Sequence, residues 1–173
     1  MRSCLLVDGN RFTDNSEGIE SMKVSPTFLP LLFGVLYLSC QPTARIDRDK
    51  IKEDIAAVIY DQMQSWNQGD IAAYMSGYDH SDSLRFASGG NVSYGWQTAL
   101  ERYRKGYPDQ AAMGVLKFSD IDITIISEDA ALVFGTWQLQ KADENPWGLF
   151  TLLFRRTEDG WRIVHDHTSS ADK

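Results

Sequence analysis

The segment Gly160-Trp-Arg-Ile-Val-His-Asp-His-Thr-Ser169 is the most specific structural signal in the sequence. It follows a turn signal at 157–160 and is rich in the β-branched and aromatic residues that favour strands. Side chains two residues apart share one face of a strand. One face is therefore predicted to carry Trp161, Ile163, His165 and His167, and the other Arg162, Val164, Asp166 and Thr168. Two of the chain's three histidines lie here, so we expect any chemistry in this segment.

Length and charge narrow the class of protein. The chain has 173 residues, enough for one domain with a substantial core. Its net charge of -7 argues against a nucleic-acid partner, because no excess of lysine and arginine is available to neutralise phosphates. The short basic cluster of Arg102, Arg104 and Lys105 is interpreted as the solvated face of a helix.

The N-terminal part of the sequence is not expected to belong to the fold. From Met22 a positive residue, a short apolar run and a small residue lead to Cys40, which resembles a bacterial lipoprotein signal peptide with Cys40 as the lipidated residue. The alternatives are an ordinary secretory signal or a membrane anchor. The other cysteine is Cys4, and the two form neither a disulfide framework nor a zinc site.

These features predict four parts of the chain. Residues 1–21 are interpreted as a mis-assigned start, 22–40 as the signal peptide, 41–45 as a tether and 46–170 as the folded domain. The expected location is the bacterial cell envelope, either periplasmic or held at the membrane by the lipid anchor alone.

Within the domain, the periodicity predicts helices first and strands afterwards. Apolar residues recur at three- and four-residue steps over 46–67, which indicates an amphipathic helix. A short helix is predicted at 71–76 with Asp70 as its N-cap, and a third ends near Tyr107, before Pro108. Strands are predicted at about 84–87, 92–94, 113–127, 130–141, 147–157 and 161–169. Three helices followed by a long antiparallel meander make an α+β fold.

Several motifs in this sequence match those of a known family, each at the corresponding position in the predicted fold. They are Trp66-Asn67-x-Gly69-Asp70, Gly90 with Gly95, Tyr103 to Tyr107-Pro108, Met113-Gly-x-Leu116, Gly148-x-Phe150-Thr-Leu152 and Gly160-Trp-x-Ile-Val-x-Asp-His-Thr-Ser169. With these, the chain resembles the nuclear transport factor 2-like superfamily, in its polyketide-cyclase-like (SnoaL-like) and ketosteroid-isomerase-like group. The resemblance implies a strongly curved antiparallel sheet wrapped on about three N-terminal helices in a cone, with an apolar cavity at its open end.

Three functions are compatible with that resemblance, since the fold hosts isomerases, dehydratases, cyclases, binding proteins and assembly domains. The first is an envelope-anchored domain that binds a small apolar or aromatic ligand. The second is a metal-free isomerase, dehydratase or cyclase with a histidine acid-base residue. The third is a homodimeric assembly or interaction domain. No cofactor is expected.

The candidate catalytic residues are His165, Asp166 and His167. A histidine paired with Asp166 inside the cavity would serve as a general acid-base. The alternative is that His167 and Asp166 hold the last strand in place through hydrogen bonds to the backbone or to tyrosine hydroxyls. Asp166 points to the face opposite the histidines unless the strand bulges. A metal site is not predicted, because His165-x-His167 lacks a third ligand with fixed spacing.

Other residues are candidates for the pocket. The predicted aromatic lining or core consists of Trp66, Tyr74, Tyr78, Phe86, Trp96, Phe118, Trp137 and Phe150. Asp70 resembles in position the acidic residue that follows the first helix in this superfamily, which makes it a catalytic candidate. The alternative is that it only caps the second helix, and this role is sufficient to explain an aspartate there. Tyr74, Tyr78 and Asp122 have the residue types used by ketosteroid isomerases, without a motif that assigns them those roles. Arg85 and Arg155 are predicted in strands, to meet an acidic ligand or to pair across strands.

Overall fold

The computed structural model describes residues 47–171, which lie within a compact unit spanning Pro42–Lys173. The predicted mis-assigned start, signal peptide and tether, together with Cys40, lie outside the described residues. The elements in chain order are α1 (Arg48–Asn67), α2 (Ile71–Met75), β1 (Arg85–Ser88), β2 (Asn91–Tyr94), α3 (Trp96–Gly106), α4 (Gln110–Met113), β3 (Val115–Ile125), β4 (Ala130–Gln140), β5 (Trp147–Thr157) and β6 (Gly160–Thr168). Helices packed on one curved, unclosed sheet confirm the predicted α+β class.

The six strands form one sheet in the order β2-β1-β6-β5-β4-β3. Strands β3 to β6 form the predicted antiparallel meander. The pairing of β1 with β6 is parallel, however. After the β1–β2 hairpin the chain crosses to the far edge of the sheet at β3, and it then returns strand by strand until β6 lies beside β1. The last strand of the chain therefore lies inside the sheet, between β1 and β5.

Helix α1 covers the inner face of the sheet. Its N-cap is Asp47, whose carboxylate accepts a hydrogen bond from the backbone N–H of Lys50. One stripe of its surface is buried, and it consists of Ile51, Ile55, Ile59, Gln62 and Trp66. The opposite face is polar and exposed. Within residues 47–171, no helix is both long enough and apolar enough to span a bilayer.

The C-terminal end of α1 is fixed to the edge strand β3 by Asn67. Its side-chain oxygen accepts a hydrogen bond from the backbone N–H of Leu116 at 2.7 Å, and its nitrogen donates to the carbonyl of the same residue at 3.0 Å. Trp66 adds a bond from its indole N–H to the carbonyl of Met113. One asparagine thereby satisfies both backbone groups of a strand residue and sets the distance between helix and sheet.

A fourth helix, α4, was not predicted. It is a single turn capped by Asp109, whose carboxylate accepts from the backbone N–H of Ala112. The signal was present, since Pro108-Asp-Gln-Ala-Ala-Met113 places a capping residue before four helix-forming residues.

The predicted faces of the last strand are correct only in its first half. Leu153 of β5 pairs with His165 while Phe154 pairs with Ile163, so Val164 is an extra residue in β6. Such a β-bulge reverses the alternation of side chains beyond it. Trp161 and Ile163 share one face as predicted, and that face is the buried inner one. After the bulge, Asp166 takes the inner face and the two histidines do not.

The neighbour of β6 changes at the same point. The backbone of Ile163 pairs with the segment before β1, donating to the carbonyl of Gly77 and accepting from the N–H of Asp79. From His165 onward, the neighbour is β1. The bulge lies at this junction, and the inward position of Asp166 follows from it.

Candidate functional site

A cavity of about 480 Å³ lies between the inner face of the sheet and helices α1 to α3. This volume is within the range of small-molecule sites. Its lining consists of Gln62, Trp66, Tyr74, Tyr78, Phe86, Ser88, Arg102, Tyr103, Gly106, Tyr107, Leu116, Phe118, Trp137, Leu139, Lys141, Phe150, Leu152, Asp166, Thr168 and Ser170. Aromatic rings predominate, and few groups in this lining carry a charge.

The aromatic wall is held together by edge-to-face contacts. The ring of Trp66 lies 5.1 Å from that of Tyr74 and 4.7 Å from that of Tyr107, and Tyr74 lies 5.2 Å from Tyr103. Such offset geometries are the favoured ones for aromatic pairs. The helices thus present a rigid group of rings to the cavity.

The sheet side of the cavity depends on one glycine. A Cβ atom on Gly135 would lie 2.5 Å from the ring of Phe150, so only glycine leaves room for that ring on the neighbouring strand. Phe150 in turn packs against Phe118 at 5.4 Å in a T-shaped contact. The shape of this wall therefore follows from the absence of a side chain on β4.

Asp166 is the one acidic side chain in the lining. It is 4% exposed, and its Oδ2 accepts a hydrogen bond from the hydroxyl of Tyr78 at 2.8 Å. Its Oδ1 is buried and has no hydrogen-bond partner in the described part of the chain. A buried oxygen of this kind is unusual in folded proteins and is available to a ligand.

Burial determines the ionisation of this carboxyl group. Loss of water raises the pKa of Asp166 from 3.8 to about 7, although the hydrogen bond from Tyr78 and the charge of Arg102 both lower it. The side chain is therefore poised to exchange a proton near neutral pH. No cation forms a salt bridge with it in residues 47–171.

Three tyrosine hydroxyls extend from the carboxyl group in a chain. The hydroxyl of Tyr74 lies 3.4 Å from those of both Tyr78 and Tyr103. Burial, followed by repulsion from Asp166, raises the pKa of Tyr74 to about 12. Burial likewise raises the pKa of Tyr78 and of Tyr103 well above the ordinary value. All three stay protonated, so Tyr78 remains a hydrogen-bond donor to Asp166.

Two cations also line the cavity. The guanidinium of Arg102 lies 4.4 Å above the ring of Phe86, and the ammonium of Lys141 lies 5.7 Å from the ring of Tyr107. Both are cation–π distances. Arg102 was predicted on a solvated helix face. It is exposed, but its side chain also forms part of the lining, because it reaches across from α3 to β1.

The structure places seven of the eight predicted aromatic residues in the lining. They are Trp66, Tyr74, Tyr78, Phe86, Phe118, Trp137 and Phe150. Trp96 lies outside it, at the start of α3, where its ring contacts that of His80 and its indole N–H donates to the carbonyl of Met75.

Neither histidine of β6 lines the cavity. His165 and His167 lie on the outer face of the sheet, paired with Leu153 and Thr151 of β5. Arg85 Nε donates to His165 Nδ1 at 3.0 Å, and burial lowers the pKa of that histidine. His165 therefore supports the β1–β6 junction, while His167 is exposed. Asp166 has the alternative role considered for it, a hydrogen bond to a tyrosine hydroxyl.

The remaining candidates have structural surroundings. The carboxylate of Asp70 caps α2 by accepting from the N–H of Ala73, and Arg155 pairs with Asp129 at 2.6 Å. Asp122 is exposed on β3. Among residues 47–171, no group of three histidine, cysteine, aspartate or glutamate side chains is placed to hold a metal ion.

Three lining residues in and directly after α3 were not predicted for the site from the sequence. Tyr103 and Tyr107 contribute two rings to the lining, and Arg102 a charge. The signal that could have found them is their spacing, since Tyr103 and Tyr107 continue at four-residue steps from the buried Ala99.

The outer face of the sheet carries an exposed apolar patch. Leu132 and Phe134 of β4 and Trp147 and Leu149 of β5 are between 38% and 47% exposed. Their strand pairing puts them on the same face. Patches of this kind are often covered by a partner. The predicted homodimer stays a prediction.

Comparison with known proteins relates this architecture to one family. The family model described as a SnoaL-like domain matches residues 55–173. Among solved structures, an NTF-2-like protein of unknown function from Shewanella oneidensis MR-1 is 40% identical, with a TM-score of 0.66, over 68% of this chain and 98% of that one. No match was found among curated proteins.

More distant structures share the fold. A ketosteroid isomerase-like protein from Erwinia carotovora atroseptica SCRI1043 is 18% identical, with a TM-score of 0.57, over 70% of this chain and 96% of that one. A domain of unknown function with a cystatin-like fold from Nostoc punctiforme PCC 73102 is 14% identical, with a TM-score of 0.60, over 72% and 79%. At these identities the likeness concerns the fold alone.

The raised pKa of Asp166 predicts a pH dependence of stability. The folded state binds this proton more tightly than the unfolded chain, so Asp166 lowers the free energy of unfolding as pH rises from about 4 to about 7. Asp166→Asn removes the titration. The stability of this variant relative to the native chain should therefore increase between pH 4 and pH 8, by at most about 4 kcal/mol.

Urea unfolding followed by circular dichroism at several pH values measures this difference. Asp122→Asn, which removes an exposed carboxylate from the same sheet, is the matched control and should show no such increase. A constant difference between Asp166→Asn and the native chain across this pH range would show that folding does not raise the pKa of Asp166.

Proposed function

The chain belongs to the SnoaL-like family of the nuclear transport factor 2-like superfamily, and on that premise we propose that its domain binds a small apolar ligand in the aromatic cavity. One observation carries the proposal. A cavity of about 480 Å³ contains a buried carboxyl group, Asp166, with one oxygen held by Tyr78 and the other without a partner. Apolar walls with a few convergent polar groups are typical of ligand sites.

The packing supports a binding site over an imperfect core. The rings around the cavity are fixed by contacts with one another, so the space is maintained without a ligand. On the sheet side of the cavity, Gly135 leaves room for the ring of Phe150 on the neighbouring strand. A bound molecule would bury apolar surface and supply the missing partner of Asp166 Oδ1.

A pair of tryptophan substitutions tests the location of the site. Thr168 lines the cavity, whereas its neighbour His167 lies on the outer face. Thr168→Trp should fill part of the cavity and weaken binding of N-phenyl-1-naphthylamine, a neutral fluorescent probe, by about tenfold or more. The reason is that losing the apolar contact area of one ring costs the complex roughly 1.4 kcal/mol or above. His167→Trp should leave binding unchanged.

Binding is followed by the emission of the probe, excited in its own absorption band, with circular dichroism to verify folding of both variants. Equal affinities in the two variants, or a loss only in His167→Trp, would place the probe elsewhere and contradict the proposal.

A second candidate function is proton transfer, and Asp166 is the observation that favours it. A carboxyl group with a pKa of about 7 can take up and release a proton at neutral pH. Tyr78 stays protonated and keeps Oδ2 in place, which leaves Oδ1 to reach the ligand. The reaction class is the metal-free isomerisation, dehydration or cyclisation of a carbonyl compound. The acid-base group is Asp166 and not His165 or His167, because the cavity does not contain either histidine.

A general probe of proton abstraction tests this function. The ring of 5-nitrobenzisoxazole opens after a base removes its C–H proton, and the phenolate product absorbs visible light. Because the ionised carboxylate is the base, the protein-dependent rate should rise with pH through a midpoint near 7 and be lost in Asp166→Asn. His167→Ala should retain it. A rate that depends on His167 and not on Asp166 would contradict the assignment.

We also propose that the domain is held at the bacterial envelope by a lipid on Cys40. The support is the sequence from Met22 to Cys40, in which a positive residue, an apolar run and a small residue precede the cysteine. In a bacterial host, the native chain should incorporate labelled palmitate and sediment with membranes, and Cys40→Ser should do neither. Cys4→Ser is the control and should behave like the native chain. Absence of label in the native chain would rule out lipidation.

A further inference from the structure

We propose that the ligand of this cavity is an organic acid whose ionised group binds Arg102 and Lys141, while its neutral polar end faces Asp166. The inference rests on the proposed binding function and specifies the class of ligand. It is drawn from the positions of the two cations in the lining and from the hydrogen-bonding capacity that they leave unused.

Arg102 is the principal anion-binding group. It projects from α3, and the central carbon of its guanidinium lies 4.4 Å from the centre of the Phe86 ring. A cation–π contact uses no hydrogen bond, so it leaves the N–H groups of the guanidinium available to other partners. Within residues 47–171, these N–H groups form no hydrogen bond and no salt bridge. The arginine is therefore positioned by the cavity wall with its donors unused.

Lys141 provides a second positive charge on the lining. It follows β4 directly, its side chain is 21% exposed, and its ammonium lies near the ring of Tyr107. Glu144 lies 3.9 Å from it, at the limit of a salt bridge, and is itself 40% exposed. An ion pair this long and this exposed contributes little, so Glu144 offsets the lysine only in part.

The charge of the lining is opposite to that of the protein. The chain carries a net charge of -7, whereas the cavity contains two cations and a single carboxyl group. Burial keeps that carboxyl group largely protonated below pH 7. A positive potential over an apolar cavity attracts anions, and low-dielectric walls strengthen the attraction.

The arrangement also orients the ligand. Arg102 is exposed and lies on Phe86, and Phe86 pairs in register with the buried Asp166 across the β1–β6 junction. Adjacent strands lie about 4.8 Å apart. The guanidinium of Arg102 and the carboxyl group of Asp166 are therefore separated by the ring of Phe86 and by the spacing between β1 and β6. A molecule with a ring system of this length would present an anionic group to Arg102 and a neutral oxygen to Asp166.

Two probes that share one ring skeleton and differ in a single anionic group test the inference. The probe 8-anilinonaphthalene-1-sulfonate has the same ring skeleton as the neutral N-phenyl-1-naphthylamine, with one added anionic group. In the full-length protein, Arg102→Gln should weaken binding of the anionic probe by about tenfold more than binding of the neutral probe. Lys141→Gln should have a smaller effect of the same kind. Added potassium chloride should weaken only the anionic probe.

Lys105→Gln is the matched control, because it removes the same charge from the same helix and does not line the cavity. Retained binding of the neutral probe shows that a variant is folded. If Arg102→Gln affects both probes equally or neither, or if Lys105→Gln has the same effect as Arg102→Gln, the inference is wrong and the binding function stands. If neither probe binds the native protein, the binding function fails as well.

Discussion

One extra residue in the last strand determines which of its side chains face the cavity. Val164 shifts the alternation of side chains in β6, so the strand buries Trp161 and Ile163 in the core and then turns Asp166 into the cavity. Without the bulge, the same strand would direct a histidine inward and leave the carboxyl group in solvent. The hydrogen bond from Tyr78 then holds Asp166 against the segment that pairs with Ile163. The point where β6 changes its neighbouring strand and the inward position of Asp166 therefore depend on the same bulge.

The fold was largely predictable from the sequence because its signals are local. The apolar stripe from Ile51 to Trp66, the capping Asp70 and the turns before β5 and β6 each act within a few residues. The family motifs added the curvature of the sheet. The parallel β1–β6 pair was not predicted, since it depends on which distant strand finally lies beside β1.

The site was less predictable, because it depends on the non-local register of strands and not on local signals. Seven of the eight aromatic residues predicted for the pocket line it, and that prediction did not depend on the register of β6. The orientation of His165 and Asp166 depends on a single unpaired residue, and nothing in the residue types of β6 marks Val164 as that residue. Arg102 was assigned to solvent on charge alone, although an arginine can lay its guanidinium over a ring and remain exposed.

The order of the strands has a consequence for biosynthesis. Strand β6 is made last but occupies an interior position, between β1 and β5. The β1–β2 hairpin leaves the ribosome some seventy residues before its partner, so the edge of β1 that will meet β6 is open throughout that interval. The sheet, the Tyr78–Asp166 bond and this wall of the cavity all require β6, so they can be completed only after the last strand has been made. Loss of the last dozen residues would remove most of β6, and with it the link between the β1–β2 hairpin and β5 and the carboxyl group of Asp166.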